Sequence, residues 1–111
     1  MRSYMIEDLA KESTERIAKR LNDMELNSSI DGVWWLNLPD DLLTPEQKDH
    51  AESCGPHAVA LEMEDDRLKM ELLVRCRQVM RCACIAYATP EQRCRLIDWL
   101  DDLLKSLDIP V

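Results

Sequence analysis

The spacing of hydrophobic residues changes along the chain, and each spacing predicts a different element. Near the N-terminus, inward positions recur every three or four residues over 5–24, with Glu, Lys and Arg between them. That period places one set of side chains along a single side of a helix. We therefore predict an amphipathic helix over 5–24, and its inward stripe is Ile6, Ala10, Ser13, Ile17, Leu21 and Met24.

The middle of the chain alternates apolar and polar residues at every second position. A strand is predicted at 33–38, where either face could be buried, and Pro39 ends it. Over 57–88 the alternation is typical of three antiparallel strands with one buried face. The residues expected to be buried are Leu68, Met70, Leu72, Val74, Cys76, Met80, Cys82 and Cys84, whereas Lys69, Arg75 and Arg81 should point outward.

Two further helices are predicted from a tetrapeptide, Thr-Pro-Glu-Gln, that occurs at 44–47 and at 89–92. In each copy Thr can cap the helix, Pro fits its first turn, and Gln can complete a capping box. The first helix must be short, because Gly55 and Pro56 follow it. The second should span 90–107, and its inward residues are Leu96, Ile97, Trp99, Leu100, Leu104 and Leu107.

These elements predict one α+β domain over 1–111. An antiparallel β-sheet or partly open small β-barrel and a C-terminal helix occupy 25–111, with the additional amphipathic helix within 1–24. A composition of 46% hydrophobic and 32% charged residues is typical of a globular protein. We expect no membrane insertion, since no apolar run approaches the spanning length. We also expect a cytoplasmic location, because five cysteines without an export signal are best explained as reduced thiols.

The charge distribution bears on the partners that the protein could bind. The net charge of −8 argues against nucleic acid as a partner. Residues 67–95 are different, since they carry seven basic and two acidic side chains. This segment could meet an anionic ligand or partner, although a solvated outer face is the simpler interpretation.

The cysteines are candidates for metal binding or for catalysis. Cys76, Cys82 and Cys84 should share one inward face, where three thiolates could gather. Their inward neighbours are apolar, however, and structural zinc sites usually use pairs two to four residues apart, so core thiols are the favoured interpretation and no metal is expected. Cys54 lies close to His57, but an orienting group and an oxyanion hole are not evident. We therefore expect that the protein is not an enzyme.

A polar turn connects the N-terminal helix to the first predicted strand. Its amide, hydroxyl and peptide N–H groups would suit an anion or a nucleotide edge, and an ordinary Asx turn is the simpler alternative. Gly32, one of two glycines in the chain, gives the backbone freedom that such a turn uses. The segment is Asn27-Ser28-Ser29-Ile30-Asp31-Gly32.

This turn resembles a motif of the PilZ domain, Asp/Asn-x-Ser-x-x-Gly, at Asn27, Ser29 and Gly32. A second motif of that family, Arg-x-x-x-Arg, is matched by Arg16 and Arg20. The strands that end near residue 88 and the final helix are also similar to the family. The resemblance covers roughly residues 16–107, and the six-residue turn is its specific part.

The resemblance implies a bacterial, cytoplasmic signalling module that binds cyclic di-GMP and regulates a partner protein. Arg16 and Arg20 would contact phosphate or guanine edges, while Asn27, Ser29 and the backbone of Gly32 would hold the second base or phosphate. The alternative is a ligand-free interaction module, either a degenerate PilZ-like adaptor or a small acidic secretion chaperone. Acidic charge and amphipathic terminal helices favour that alternative, and the N-terminal helix could also form a homodimer.

Overall fold

The computed structural model describes residues 2–110, which form six strands and three α-helices. This confirms the α+β class. Within these residues, no helix has the length and apolar character needed to cross a membrane. In chain order the elements are β1 (Ser3–Ile6), α1 (Lys11–Asp23), β2 (Val33–Asn37), a 3-10 turn (Asp40–Leu42), α2 (Pro45–Asp49), β3 (His57–Glu64), β4 (Arg67–Glu71), β5 (Leu73–Cys76), β6 (Ala86–Tyr87) and α3 (Pro90–Ser106).

Strand β3 lies at the centre of an antiparallel sheet that is not closed into a barrel within the described residues. It pairs with β2 along one edge and with both β4 and β5 along the other. Strands β1 and β6 extend the sheet beyond β4 and β5. Of the two architectures predicted, the sheet is therefore open, with β4 and β5 acting as one strand interrupted at Leu72.

The predicted N-terminal helix was too long, because its first residues form strand β1. Residues Ser3 to Ile6 pair with β4, and the chain turns at Asp8, which has a φ of 59°. Helix α1 then begins at Lys11. Tyr4 also anchors the strand, since its hydroxyl donates a 2.7 Å hydrogen bond to the Asp101 carboxylate of α3. That bond favours the neutral phenol and raises the pKa of Tyr4 to about 12.

The main core lies between the sheet and helices α1 and α3. Ile17 and Leu21 of α1 are fully buried, as are Leu100 and Leu104 of α3. Each such side chain contributes about 1.5–3 kcal/mol relative to full exposure. The predicted inward stripes are right at these positions, but Ala10 and Met24 are exposed, Ser13, Ile97 and Trp99 are half-buried, and Leu103 is an additional buried residue.

The third predicted strand of the meander is wrong over most of its length. Residues 77–85 form a loop that connects β5 to the two-residue strand β6. The Arg77 N–H donates to the Pro56 carbonyl at 3.1 Å, which continues the pairing of β5 with β3 by one residue. The Gln78 N–H donates to the Cys54 carbonyl at 3.1 Å, one residue out of that register, and the chain leaves the ladder there. Met80, which we expected to be buried, is consequently 93% exposed.

The register of the preceding strands is confirmed by burial. The inward residues from Leu68 to Cys76 are all buried, and Cys84 is buried as well, whereas Cys82 is half-buried. On the opposite face Lys69 and Arg75 are half-buried and Arg81 is exposed.

Both copies of Thr-Pro-Glu-Gln form complete capping boxes, at the N-termini of α2 and α3. Their glutamines also meet in the interior, a contact that the capping pattern does not predict. The Gln92 amide donates to Gln47 Oε1 at 2.9 Å and to the Leu42 carbonyl at 3.0 Å. The Gln47 amide in turn donates to the carbonyl of Cys84 at 3.3 Å. This buried pair therefore ties α2 and α3 to the end of loop 77–85.

Candidate metal centre

Four cysteines and two histidines converge where β3 begins and β5 ends. They form a cluster separate from the main core, and Val79 and Ile85 pack against it. The fifth cysteine, Cys94, lies apart and exposed on α3. The converging residues, which we call the thiol–imidazole cluster, are His50, Cys54, His57, Cys76, Cys82 and Cys84.

His50 and Cys54 come together because helical hydrogen bonding continues beyond α2. The Cys54 N–H donates to the His50 carbonyl at 2.8 Å, and the Gly55 N–H donates to the Ala51 carbonyl at 3.1 Å. The two side chains thus lie one turn apart, with Cys54 Sγ 3.6 Å from His50 Nδ1. Gly55 permits this turn, since a Cβ there would lie 2.5 Å from the Ala51 carbonyl oxygen.

His57 and Cys76 are positioned by the sheet. They are direct partners in the antiparallel register of β3 and β5, and both side chains are buried. Each contacts Cys84 from the loop: His57 Nε2 lies 3.4 Å and Cys76 Sγ lies 3.0 Å from Cys84 Sγ.

Cys82 joins the loop to the turn after α2. Its Sγ lies 3.1 Å from His50 Nδ1 and 3.5 Å from Cys54 Sγ. A tight turn holds this segment, since the Ile85 N–H donates to the Cys82 carbonyl at 3.1 Å. As a result, the donor atoms of His50, Cys54, Cys82 and Cys84 all lie within 4.8 Å of one another.

These separations suit a tetrahedral zinc ion. Zinc binds thiolate at about 2.3 Å and imidazole at about 2.0–2.1 Å, which places neighbouring donors roughly 3.5–3.8 Å apart. The donor pairs among His50, Cys54 and Cys82 measure 3.1, 3.5 and 3.6 Å. Thiolate and imidazole are also the donors that structural zinc sites use. All five cysteines are free thiols, so every one of these donors is available.

The electrostatics of the cluster differ between its edge and its interior. Cys82 has its pKa lowered to about 7, first by the backbone N–H of Cys84 and then by neighbouring side chains that include Cys54 and His50. Burial raises the pKa of both Cys76 and Cys84. For His57, burial and then the nearby His50 lower the pKa. Cys82 is therefore easily ionised and His57 is held neutral, which are the forms that bind metal ions.

The expectation of core thiols describes the burial of Cys76 and Cys84 correctly, and these two cysteines meet as the sequence analysis allowed. His50, Cys54 and His57 were missed as members of the same cluster. A local signal existed, because His50 and Cys54 are four residues apart after a short helix, and Cys82 and Cys84 flank one residue. Joining these pairs requires the path of loop 77–85, which alternation alone does not give.

The residues predicted to bind cyclic di-GMP are only partly brought together. Asn27 and Gly32 line a cavity of about 410 Å³ beside α1. The Asn27 amide is already engaged, since it donates to Asn22 Oδ1 at 2.6 Å. Glu15 and Asp31 also line this cavity, and among the described residues no lysine or arginine does. Its charge is thus unfavourable for a ligand that carries phosphates.

Arg16 and Arg20 lie on another side of α1. Ala18 faces the cavity, and residues two positions away on a helix point about 200° around its axis. Arg20 instead extends to α3, where its Nη1 lies 3.4 Å from Ser106 Oγ. Ser29 is exposed and is not part of the cavity lining.

The basic segment 67–95 is largely neutralised by neighbours. Within residues 2–110, four of its seven basic side chains pair with carboxylates, so the segment is not a free anion-binding surface. Arg77 lies over the Trp35 ring at 5.6 Å. The ion pairs are Arg67–Glu64, Lys69–Glu62, Arg75–Glu71 and Arg95–Asp41.

We find no match for this chain among models of protein families, among curated proteins or among solved structures. The resemblance to PilZ domains therefore stays a prediction based on its sequence motifs. The geometry of the thiol–imidazole cluster is the stronger basis for a function.

Proposed function

We propose that this chain is a non-enzymatic zinc-binding module in which the ion fixes loop 77–85 to the turn after α2. The observation that carries the proposal is the convergence of four donors, His50, Cys54, Cys82 and Cys84, within 4.8 Å of one another. We refer to these four residues as the primary site. Three thiolates and one imidazole complete a tetrahedral shell, which is the pattern of a structural zinc ion.

The position of the primary site in the fold explains what an ion would do there. Two ligands come from the turn after α2, and two come from a loop that has left the ladder of the sheet. Binding would cross-link these segments, and in small metal-binding domains the free energy of binding becomes free energy of folding. A closed four-ligand shell leaves no position for substrate, which supports a structural role over catalysis.

The proposal includes a cytoplasmic location, because zinc binding requires the cysteines to stay reduced. The proposal also keeps the expectation that this chain binds a protein partner. Met80 is 93% exposed at the centre of the loop, near Arg77 and Arg81, so an ion in the primary site would hold this surface in one conformation. A regulated signalling partner stays a prediction of the sequence motifs.

Metal analysis of the purified, reduced protein tests the proposal. We expect at least about one zinc ion per chain, and Co²⁺ substitution should give thiolate-to-cobalt charge-transfer bands with tetrahedral ligand-field absorption. Replacement of Cys82 by Ser removes one thiolate at the half-buried edge of the site, and should weaken zinc binding at least tenfold. The matched control is Cys94→Ser, which removes an exposed thiol outside the cluster and should leave affinity unchanged.

Two results would contradict a zinc site here. One is wild-type protein that retains no zinc and shows no charge-transfer band with Co²⁺. The other is an equal loss of affinity in Cys82→Ser and Cys94→Ser, which would place binding outside the primary site.

A further inference from the structure

We propose that the cluster binds a second divalent ion, held by His57, Cys76 and Cys84, with the Cys84 thiolate bridging the two metals. The inference rests on the proposed function, since Cys84 is also a ligand of the primary site. It assigns a role to the two members of the cluster that the first ion does not use.

The geometry of the second site is as close as that of the first. The donor atoms of His57, Cys76 and Cys84 lie within 4.8 Å of one another, and all three side chains are buried. His57 and Cys76 are held by the pairing of β3 with β5, so their separation is set by the sheet. Only Cys84 belongs to both groups of donors, which makes it the bridging ligand.

The hydrogen bonding of His57 also favours a metal at this position. The residue is 2% exposed, and its Nδ1 has no hydrogen-bond partner among the described residues. Its Nε2 has the Cys84 thiol at 3.4 Å as its contact. Buried imidazoles are normally hydrogen-bonded, and a poorly paired one costs free energy. Coordination through Nε2 would replace the weak thiol contact of that nitrogen with a metal bond and would fix the ring in the tautomer that carries its proton on Nδ1.

Charge balance points in the same direction. One Zn²⁺ with the thiolates of Cys54, Cys82 and Cys84 leaves a net charge of −1, and ionising Cys76 beside it would make the buried charge more negative. Burying unpaired charge is unfavourable, so four thiolates in this cluster are better balanced by two divalent ions than by one. With a second divalent ion, the charges of four thiolates and two metal ions sum to zero.

The second site adjoins a cavity through one of its ligands. A cavity of about 230 Å³ extends to Cys76 and is bounded by Trp35, Val79 and Met80. In the proposed site, a solvent molecule from this cavity would complete the coordination shell. The primary site is filled by four protein ligands, whereas this one has three.

Metal stoichiometry tests the proposal with the full chain. Native mass spectrometry and Co²⁺ titration of the reduced, metal-free protein should show about two ions bound to the wild type and to Cys94→Ala. The Cys76→Ala variant should bind about one ion and should keep the charge-transfer bands of the primary site. In the wild type, the magnetic moment per cobalt should fall during the second equivalent, because two ions that share a thiolate couple their spins. That measurement does not depend on any variant folding correctly.

Each outcome separates the two proposals. Binding of one ion by the wild type overturns the second site and leaves the primary site intact, whereas binding of none overturns both. Two ions in the wild type and two in folded Cys76→Ala would overturn the ligand assignment. An unchanged magnetic moment through the second equivalent would overturn the Cys84 bridge.

Discussion

The main hydrophobic core and the thiol–imidazole cluster occupy different parts of one small fold and are stabilised by different means. Within residues 2–110, the core contains 21 buried apolar residues from the sheet, the connecting segments and the helices α1 and α3. The cluster has three buried cysteines, Cys54, Cys76 and Cys84, with a few partly buried neighbours. Burial of apolar area is non-directional and needs no ligand, whereas thiols and imidazoles are directional donors that gain most from a bound ion.

This contrast indicates which part of the protein should depend on metal for its stability. We expect the sheet and its helices to remain folded without metal, because their buried apolar residues pack against one another and not against the cluster. Loop 77–85 is held by hydrogen bonds to residues 54–56 and by small side chains, and such segments open at lower free energy than a core does. We therefore expect metal binding to stabilise the loop more than the sheet.

The largest effect should come from Leu100→Ala, which removes a fully buried side chain from the main core. Substitutions of this type cost about 2–5 kcal/mol, because transfer free energy is lost and a cavity remains. The loss should be the same with and without zinc, as measured by denaturant unfolding of both forms.

Chelation of zinc from the wild type should instead raise amide exchange in 77–85 and leave β3 and α3 protected. A sheet that unfolds upon chelation would contradict the division between the two parts.

An intermediate effect is expected from Gln47→Leu, because Gln47 connects the two parts. Its amide donates to the Cys84 carbonyl and accepts from Gln92. Loss of buried hydrogen bonds should lower the free energy of unfolding by about 1–3 kcal/mol. Since Gln47 also positions the backbone of a proposed ligand, zinc affinity should fall about ten- to a hundredfold.

The matched control is Gln92→Leu, which removes the equivalent capping box, since the Gln92 amide donates to Leu42 and to Gln47 whereas the Cys84 carbonyl accepts from Gln47. It should destabilise the fold to a similar extent and leave zinc affinity within a few-fold of the wild type. Equal losses of affinity in the two variants would show that Gln47 acts through general stability only.

The parts of the fold that were predicted correctly depend on local patterns. Alternation identified β2 and the burial of residues from Leu68 to Cys76, and the two capping boxes were recognised from four residues each. Strand β1 was missed because its partner β4 lies more than 60 residues away, and four residues such as 3–6 carry little periodicity of their own.

Cys76, Cys82 and Cys84 were grouped from the sequence, but His50, Cys54 and His57 were not joined to them, because these donors meet only after the chain has folded. Cys82 is 32 residues from His50 and 28 from Cys54. Within 77–85 the alternation of the preceding strands continues, so the pattern predicted a strand with Met80 and Cys82 pointing inward. The hydrogen bond from Gln78 to the Cys54 carbonyl decides otherwise, and a local pattern contains no information about it.

The smallest effect should be seen with cyclic di-GMP. The residues predicted to bind it belong neither to the main core nor to the thiol–imidazole cluster. If the dinucleotide bound as the sequence motifs imply, Arg20→Ala would remove a charge-assisted bond and weaken binding about ten- to a hundredfold. In the structure Arg20 contacts α3, whereas Asn27 and Gly32 share their cavity with Glu15 and Asp31. Calorimetric titration at high micromolar dinucleotide should therefore show no heat of binding for the wild type. Measurable binding by the wild type would contradict this expectation. If Arg20→Ala then abolished that binding, the dinucleotide would lie outside the acidic cavity and would bridge α1 to the turn at 27–32.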